Sequence, residues 1–538
     1  MRNSYIFDFD FGFSLKGVAS SLQTIFGQAA FFAPLTTSLF FRGTGTPTFT
    51  RASTATQTDF EGNTHQALSG EARFQGARRV QNLLSYTEDF TNAVWDYITG
   101  GSGSGNLIVT NNYALAPDGT MTACRVQMNI GSGTTSSDYN ILRELITGAN
   151  VVESMYVKLN SGQPAIIRLF DSIQPTVTSI WTRYSSPIVI SPSDMRIAQI
   201  QGNIGTAKQI DLLVWHPQAE SVTGQSDQNP SEYVSVGVLS APYHGAGVDG
   251  VQYFNYLNGN TVSSNVVTEA QGAPIPAATL LGCLPEPAST NYFLNSGAPV
   301  TQIITLAAGT YVTWMTGTGS ITTSAGTATA SGYGVASSGT PNTIVVTVGG
   351  TVVFTVGGTV TTGTVESNVL NKPTSYNPTT SAAVTRAADL DSEPTSGNIV
   401  AAQGSLYLEF TPNHAPSGTI YLWGTYVDAN NSTSILHDGT NLIFRKRIAG
   451  VNYDATIALA FVSGTTYKVA ASWGAAGTNI YLNGVAGTPN ANTTAAQIGT
   501  TMQEGADGNG AGQPAAQLRN RRTWVSQLPT ATLGAITQ

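Results

Sequence analysis

The sequence predicts an all-β protein of tandem β-sandwich and jelly-roll modules, and three observations carry that expectation. Only 10% of the 538 residues are charged, while glycine alone contributes 57. With abundant Thr and Val, this is the composition of short strands joined by tight turns. Apolar and polar residues alternate through stretches such as "NTIVVTVGGTVVFTVGGTVTTGTV" (342–365), whose glycine pairs fall where hairpin turns belong. Turn signals recur at short intervals: "GGSGSGN" (100–106), "APDGT" (116–120), "GSGTTSSD" (131–138) and "NSGQ" (160–163).

Composition also excludes several classes. A hydrophobic content of 41% with 9% aromatics supplies cores, against a disordered chain. The net charge of −8 leaves no electrostatic footprint for nucleic acid. The basic cluster "RNRR" (519–522) reads as a solvated strand edge. Two cysteines, Cys124 and Cys283, are too few for a disulfide scaffold or a cysteine zinc site, and both read as buried thiols. The length allows three or four domains.

Taken in order, residues 1–41 are the most apolar segment. Asp8, Asp10 and Lys16 interrupt it before a membrane span of about 18 apolar residues is reached, and the pattern is not that of a signal peptide. Val18, Leu22, Ile25 and Phe26 fall at helical spacing, so a short amphipathic helix is predicted. The segment is expected to dock, covered by another protein or by the chain's own sheets. Residues 42–85 read as a linker cassette, "TFTRASTATQTDFEGN" followed by "EARFQGARRVQNLLSY". Residues 86–240 form a strand-rich jelly roll. A second linker cassette, 241–296, repeats the order of Gly-Asn turn, Glu-containing stretch and Asn before an apolar strand. Residues 297–396 make a small β-sandwich with a closing marker, and 397–538 a larger sandwich of strands such as "SLYLEF", "GTIYLWGTY" and "TNIYLNGV". The Thr-Arg-Ala of residues 50–52 returns at 385–387 as a boundary mark, and Arg51 and Arg386 are expected to tie modules by hydrogen bonds.

Chemistry is sparse. Cleaving a glycosidic bond takes two flanking carboxylates, but 397–538 lacks a Glu-x-Asp-x-x-Glu strand. Glu409 stands alone, Asp428 and Asp438 are separated by turns, and Glu88 and Asp89 suit a turn or cap. His65, His216, His244, His414 and His437 show no metal spacing, and no serine sits in a glycine-flanked elbow. A non-enzymatic protein is expected. Sugar binding needs an aromatic face with a few polar groups, and "WGTYVDANNSTS" offers Trp423, Tyr426, Asp428, Asn430 and Asn431. A core Trp423 beside an ordinary polar turn fits the same residues. In "EGADGNG", Glu504, Asp507 and Asn509 are oxygen ligands suited to calcium, though a glycine-rich loop accounts for them equally. No other cofactor is indicated.

These phrases resemble something known. Phe49, Thr50, Arg51, Ala52 and Ser53, then Asn82, Leu83, Leu84, Tyr86, Glu88, Asp89, Phe90 and Trp95, resemble the opening of modular structural proteins of tailed bacteriophages. In that family they precede a carbohydrate-binding-module-like jelly roll. "SMYVK" (154–158), "WTRYS" (181–185), "WHPQAE" (215–220) and "PTSYNPTTSAAVTRAAD" (373–389) extend the match. Residues 297–372 lack the "YVK" and "Q-x-E" strands. Tyr467 to Trp473, then Tyr481, Leu482, Asn483 and Gly484, resemble a concanavalin A or laminin-G sandwich, as does the closing "RTWVSQLPTATLGAIT". The resemblance implies a virion structural protein: a tail fibre or tail-tip adhesin attaching to the host surface through glycans, or a head fibre or capsid decoration protein. A glycan-degrading enzyme is the third reading. The resemblance further implies other virion proteins as partners through the N-terminal segment, a host cell-surface glycan, homo-oligomerisation as a trimer, and an extracellular particle as the location, while the charge and the interrupted apolar segment argue against nucleic acid and a membrane span.

Overall fold

The computed structural model describes residues 18–36, 38–58, 64–77, 79–101, 107–148, 150–223, 225, 228–231, 233, 236, 251–254, 266–272, 280–415 and 418–538. These are all-β apart from the helices Val18–Gly27 and Thr530–Ile536. Three sandwiches, each with its own core, account for most of the strands.

The largest sandwich is discontinuous in sequence. Its first sheet runs Val485–Ala486, Gly477–Leu482, Tyr467–Gly474, Gly404–Pro412, Ala516–Trp524, Gly282–Cys283 and Phe74–Gln75, with Phe31–Ala33 also pairing Ala516–Trp524. Its second sheet runs Thr48–Thr50, Leu390–Pro394, Thr501–Glu504, Ile420–Asp428, Asn431–His437, Asn441–Ile448 and Val451–Ala458. Phe31, Leu35, Leu39, Phe41 and Phe74 share one core with Leu406, Phe410, Trp423, Phe444 and Trp473. Burying each such side chain stabilises by about 1.5–3 kcal/mol. The unit drawn from 397 to 538 is therefore completed by segments of the N-terminus, of both cassettes and of the closing marker.

A third layer explains why Gly404–Pro412 is buried at every position. Tyr407, on the face away from the core, packs with Trp524, Leu533 and Ile536 and with Leu22, Ile25 and Phe26 of the first helix. The amphipathic period read from the sequence thus aims this helix at the chain's own sheet. Of the two covers expected for this segment, its described part has the chain's own sheet, while residues 1–17 lie outside the described residues. "RNRR" needs correcting. It lies in an interior strand, where Arg519 pairs with Glu409 at 2.8 Å and Arg521 is fully buried. Arg522 sits over the rings of Phe26 and Phe32 at 4.4 and 3.9 Å.

In the jelly roll, a three-stranded sheet (Asp194–Gln201, Tyr139–Leu145, Trp95–Gly100) faces a six-stranded one. The path of the larger sheet is Thr182–Ser185, Asn150–Ser161, Gln209–Ser221, Ala123–Asn129, Leu107–Ala114. Leu142, Val126, Met155, Val157, Leu212 and Val214 fill the core between them. Cys124 and Cys283 are both free and buried. Asp89 caps a turn, as its side chain accepts from Thr91 N at 3.1 Å. Glu88 accepts from the Tyr233 hydroxyl at 3.1 Å.

The small module is a sandwich of a six- and a four-stranded sheet. Its alternating "NTIVV" run lies in Asn342–Val348, and Gly358, at φ 69°, turns Gly350–Gly357 into Val360–Asn368. Ser289–Asn291, which opens the module, pairs with Val384–Arg386, which closes it.

The two Thr-Arg-Ala marks meet there. Arg51 donates to Asp389 at 2.8 Å, Ala387 N donates to Ser53 Oγ at 2.8 Å, and Arg386 donates to Pro287 O at 2.8 Å. Between them Arg73 bonds Glu286 at 2.9 Å and also Asp389. All five charged side chains are buried. Burial alone would raise the two carboxyls, yet the surrounding arginines hold Asp389 and Glu286 below their ordinary values.

Candidate functional site

The loop singled out from the sequence is the hairpin between Ile420–Asp428 and Asn431–His437. Trp423 is 0% exposed and belongs to the core, so it offers no stacking face. Its indole N–H has no hydrogen-bond partner among the described residues. The polar groups of the turn are engaged locally. Asp428 accepts from Asn430 N at 2.8 Å and from the Asn431 side chain at 2.9 Å, and Asn431 Oδ1 accepts from Ala449 N at 3.0 Å. The Asx geometry closes the turn, which is why Asp428 sits below its ordinary pKa: first the Asn431 side chain, then the Asn430 N–H, favours the carboxylate. Tyr426 is half-buried at the edge of this turn.

A broader surface lies beside it on the outer face of the second sheet. Because strand neighbours alternate between faces, three cross-strand rows can be read from the register. One row is Tyr421, Leu436, Ile443 and Thr456; the next is Gly424, Ser434, Arg445 and Asp454; the third is Tyr426, Ser432, Arg447 and Asn452. Arg445 makes a two-point pair with Asp454, at 2.9 and 2.7 Å. Arg447 donates to Asn452 at 3.3 Å while its Nε has no partner among the described residues. Lys446, between them, turns to the opposite face and donates to Asn492 and Thr494. This face therefore presents two tyrosine rings, Tyr421 and Tyr426, with hydroxyls, an amide and two guanidinium groups.

One wall of that surface is the loop 505–512. A side chain at Gly424 would place its Cβ 2.4 Å from the backbone of Asp507, so glycine lets the loop lie directly on the strand. Asp507 holds the loop by accepting from Asn509 N at 2.8 Å and Ala511 N at 3.0 Å. This separates the calcium candidates. Asp507 is committed to its own turn, and Glu504 points into the interior, 1% exposed and paired with Arg521. Glu504, Asp507 and Asn509 do not fit a calcium site, and among the described residues no cluster of His, Cys, Asp and Glu is arranged to hold a metal ion.

Glu504 instead joins Asp391 and Glu393, all fully buried around Arg521. Burial first, with Glu393 adding repulsion, pushes Glu504 up to about 8, and Asp391 and Glu393 are raised as well. This trio escaped a carboxylate search confined to 397–538 because two members come from "LDSEP" (390–394). The other missed residues, Arg445 and Arg447, did leave a signal: "LIFRKR" places them two apart on a strand, hence on one face.

No protein-family model matches the chain, and no curated protein does. Among solved structures it is similar to a native heptameric SAP-like pentraxin from Limulus polyphemus, with 16% identity over 26% of this chain and 70% of that one, at a TM-score of 0.21. It is similar to domain 4 of AbnA, a GH43 extracellular arabinanase from Geobacillus stearothermophilus, in complex with arabinotriose. That match has 18% identity over 28% of this chain and 73% of that one, at a TM-score of 0.25. A third similarity is to the Ruminococcus gnavus IT-sialidase CBM40 bound to alpha2,3 sialyllactose, with 13% identity over 26% and 84%, at a TM-score of 0.23. At these identities and scores the likeness assigns this chain neither a ligand nor a role.

Proposed function

We propose that this chain is a glycan-binding adhesin of a tailed-phage particle, of the tail-fibre or tail-tip kind, with its glycan contact on the outer face of the large sandwich. The observation that carries the reading is the open row Tyr426, Ser432, Arg447 and Asn452 beside the wall formed by residues 505–512. A pyranose places its apolar face on the tyrosine ring while its hydroxyls exchange hydrogen bonds with Ser432, Asn452 and Arg447. Each such contact nets only about 0.5–1.5 kcal/mol, so a single copy binds weakly and several copies on one particle supply avidity. The particle assignment is supported by the Thr-Arg-Ala marks and the jelly-roll phrases.

The test is a glycan array probed with the full chain, once alone and once displayed on beads. The expected result is a restricted set of saccharides that retain the beads and bind the free chain weakly. An array with no saccharide retained in either form overturns the glycan reading. Antibody-gold labelling of particles tests the location, with label expected at the tail end; label on heads alone contradicts it.

A further inference from the structure

The jelly roll carries a second surface with a different charge. In its six-stranded sheet Val126, Met128, Leu212, Val214, Val157 and Leu159 face the core. Alternation therefore turns Arg125, Asp211, Lys158 and Tyr156 to the outer face. Three cations there lie over aromatic rings: Arg125 over Tyr113 at 4.7 Å, Lys158 over Trp181 at 5.1 Å, and Arg183 over Tyr156 at 5.9 Å. Asp211 neutralises one of them. It takes Arg125 at 2.8 and 2.7 Å and is itself held by Asn160 at 2.9 Å and Ser161 at 3.0 Å. Lys158 has no ion pair among the described residues, and Arg183 donates to Ser154 and Ser231. Buried Glu220 lies on the same face and attracts Arg183, so the positive charge of the face rests on Lys158 and Arg183, within a chain of net charge −8.

We propose that this face binds an acidic polysaccharide. Arg183 lies opposite Tyr156 on the neighbouring strand, two residues along from Lys158, so these two cations are diagonal neighbours roughly 7–8 Å apart. One carboxylate does not span that gap, which calls for a polymer with spaced negative charges. The rings of Trp181 and Tyr113 supply stacking surfaces beside the cations. At the end of the same strands lies a cleft of about 240 Å³, lined by Ser161, Gly162, Gln163 and Gln209 together with core-side Leu159 and Ile210. Few cations set beside aromatic rings on an acidic protein favour an acidic sugar polymer over nucleic acid, whose binding draws on many phosphate contacts.

The experiment measures binding of the full chain to polygalacturonate, to dextran of similar length and to single-stranded DNA at low salt. Polygalacturonate is expected to bind, and the other two to bind at least tenfold more weakly. Lys158→Gln should weaken polygalacturonate by about threefold, in keeping with one exposed charge contact. Adding Trp181→Ala should weaken it further, and Lys158→Arg should retain it. Equal binding of dextran or DNA overturns the proposal. So does undiminished binding by Lys158→Gln/Trp181→Ala with an unchanged unfolding midpoint.

Discussion

Arg73 is where distant parts of the chain converge. Its guanidinium donates to Thr56 O at 3.0 Å, to Ser375 Oγ at 2.7 Å, to Glu286 at 2.9 Å and also to Asp389. Removing one member of a buried charge network strands the others without partner or water. Arg73→Ala should therefore cost about 3–5 kcal/mol, seen as a lower midpoint in urea unfolding; a midpoint within error of the wild type contradicts the role. The marks at Arg51 and Arg386 were legible as junctions because they repeat. Arg73, Glu286 and Asp389 were not, since their partners lie hundreds of residues away and a lone charge carries no pairing signal. Buried carboxylates also set the pH response. Burial raises Glu88 and Glu144 from 4.5 to about 7, and Glu153 and Glu504 to about 8. The folded state then binds protons that the unfolded state has released, so their contribution is present at acid pH and lost as pH rises from about 4.5 to 8. Asp389 and Glu286 act oppositely, and their contribution is lost only as pH falls below the ordinary carboxylate range. The unfolding temperature should rise from pH 8 to about pH 5 and fall in stronger acid. A curve that climbs steadily from pH 5 to 8 contradicts this charge assignment.

Elements of three or four residues decide how the large sandwich closes. Phe31–Ala33 and Thr48–Thr50 are strands of three residues, too short to show any period, and their partners near 521–523 and 390–392 are remote in sequence. The helix Val18–Gly27 was legible because Leu22, Ile25 and Phe26 repeat at helical spacing; the sheet it would meet was not. Removing residues 1–45 takes Phe31, Leu35, Leu39 and Phe41 out of the core. The truncated chain should be protease-sensitive and unfold well below the full chain. A milder probe is Phe31→Ala, expected to cost about 3–5 kcal/mol. Truncation with an unchanged unfolding midpoint and protease resistance would return the segment to a simple docking arm. Strand and turn positions across 397–538 were readable from alternation and Asn-Gly turns. The outer-face site was only partly so, because the sequence allowed Trp423 either a ligand role or a place in the core, and after a bulge between Tyr421 and Trp423 it faces inward.

At the scale of the whole molecule, the chain is one sandwich into which other modules are set. The jelly roll lies between Phe74–Gln75 and Gly282–Cys283, and the small sandwich between Gly282–Cys283 and Leu390–Pro394. The buried arginine–carboxylate junction sits where those insertions begin and end. Weak single sites on such a frame suit display in several copies, and we propose a homotrimer, which mass measurement of the purified chain checks directly. The central claim is that the outer face of the large sandwich is the glycan contact. It is tested most directly by titrating the strongest array saccharide into the full chain and into Tyr426→Ala/Arg447→Gln, at matched unfolding midpoints. The expected outcome is a loss of affinity of about tenfold, two contacts of roughly 0.7 kcal/mol each. An unchanged affinity in the folded double variant would contradict the claim and move the glycan contact off this face.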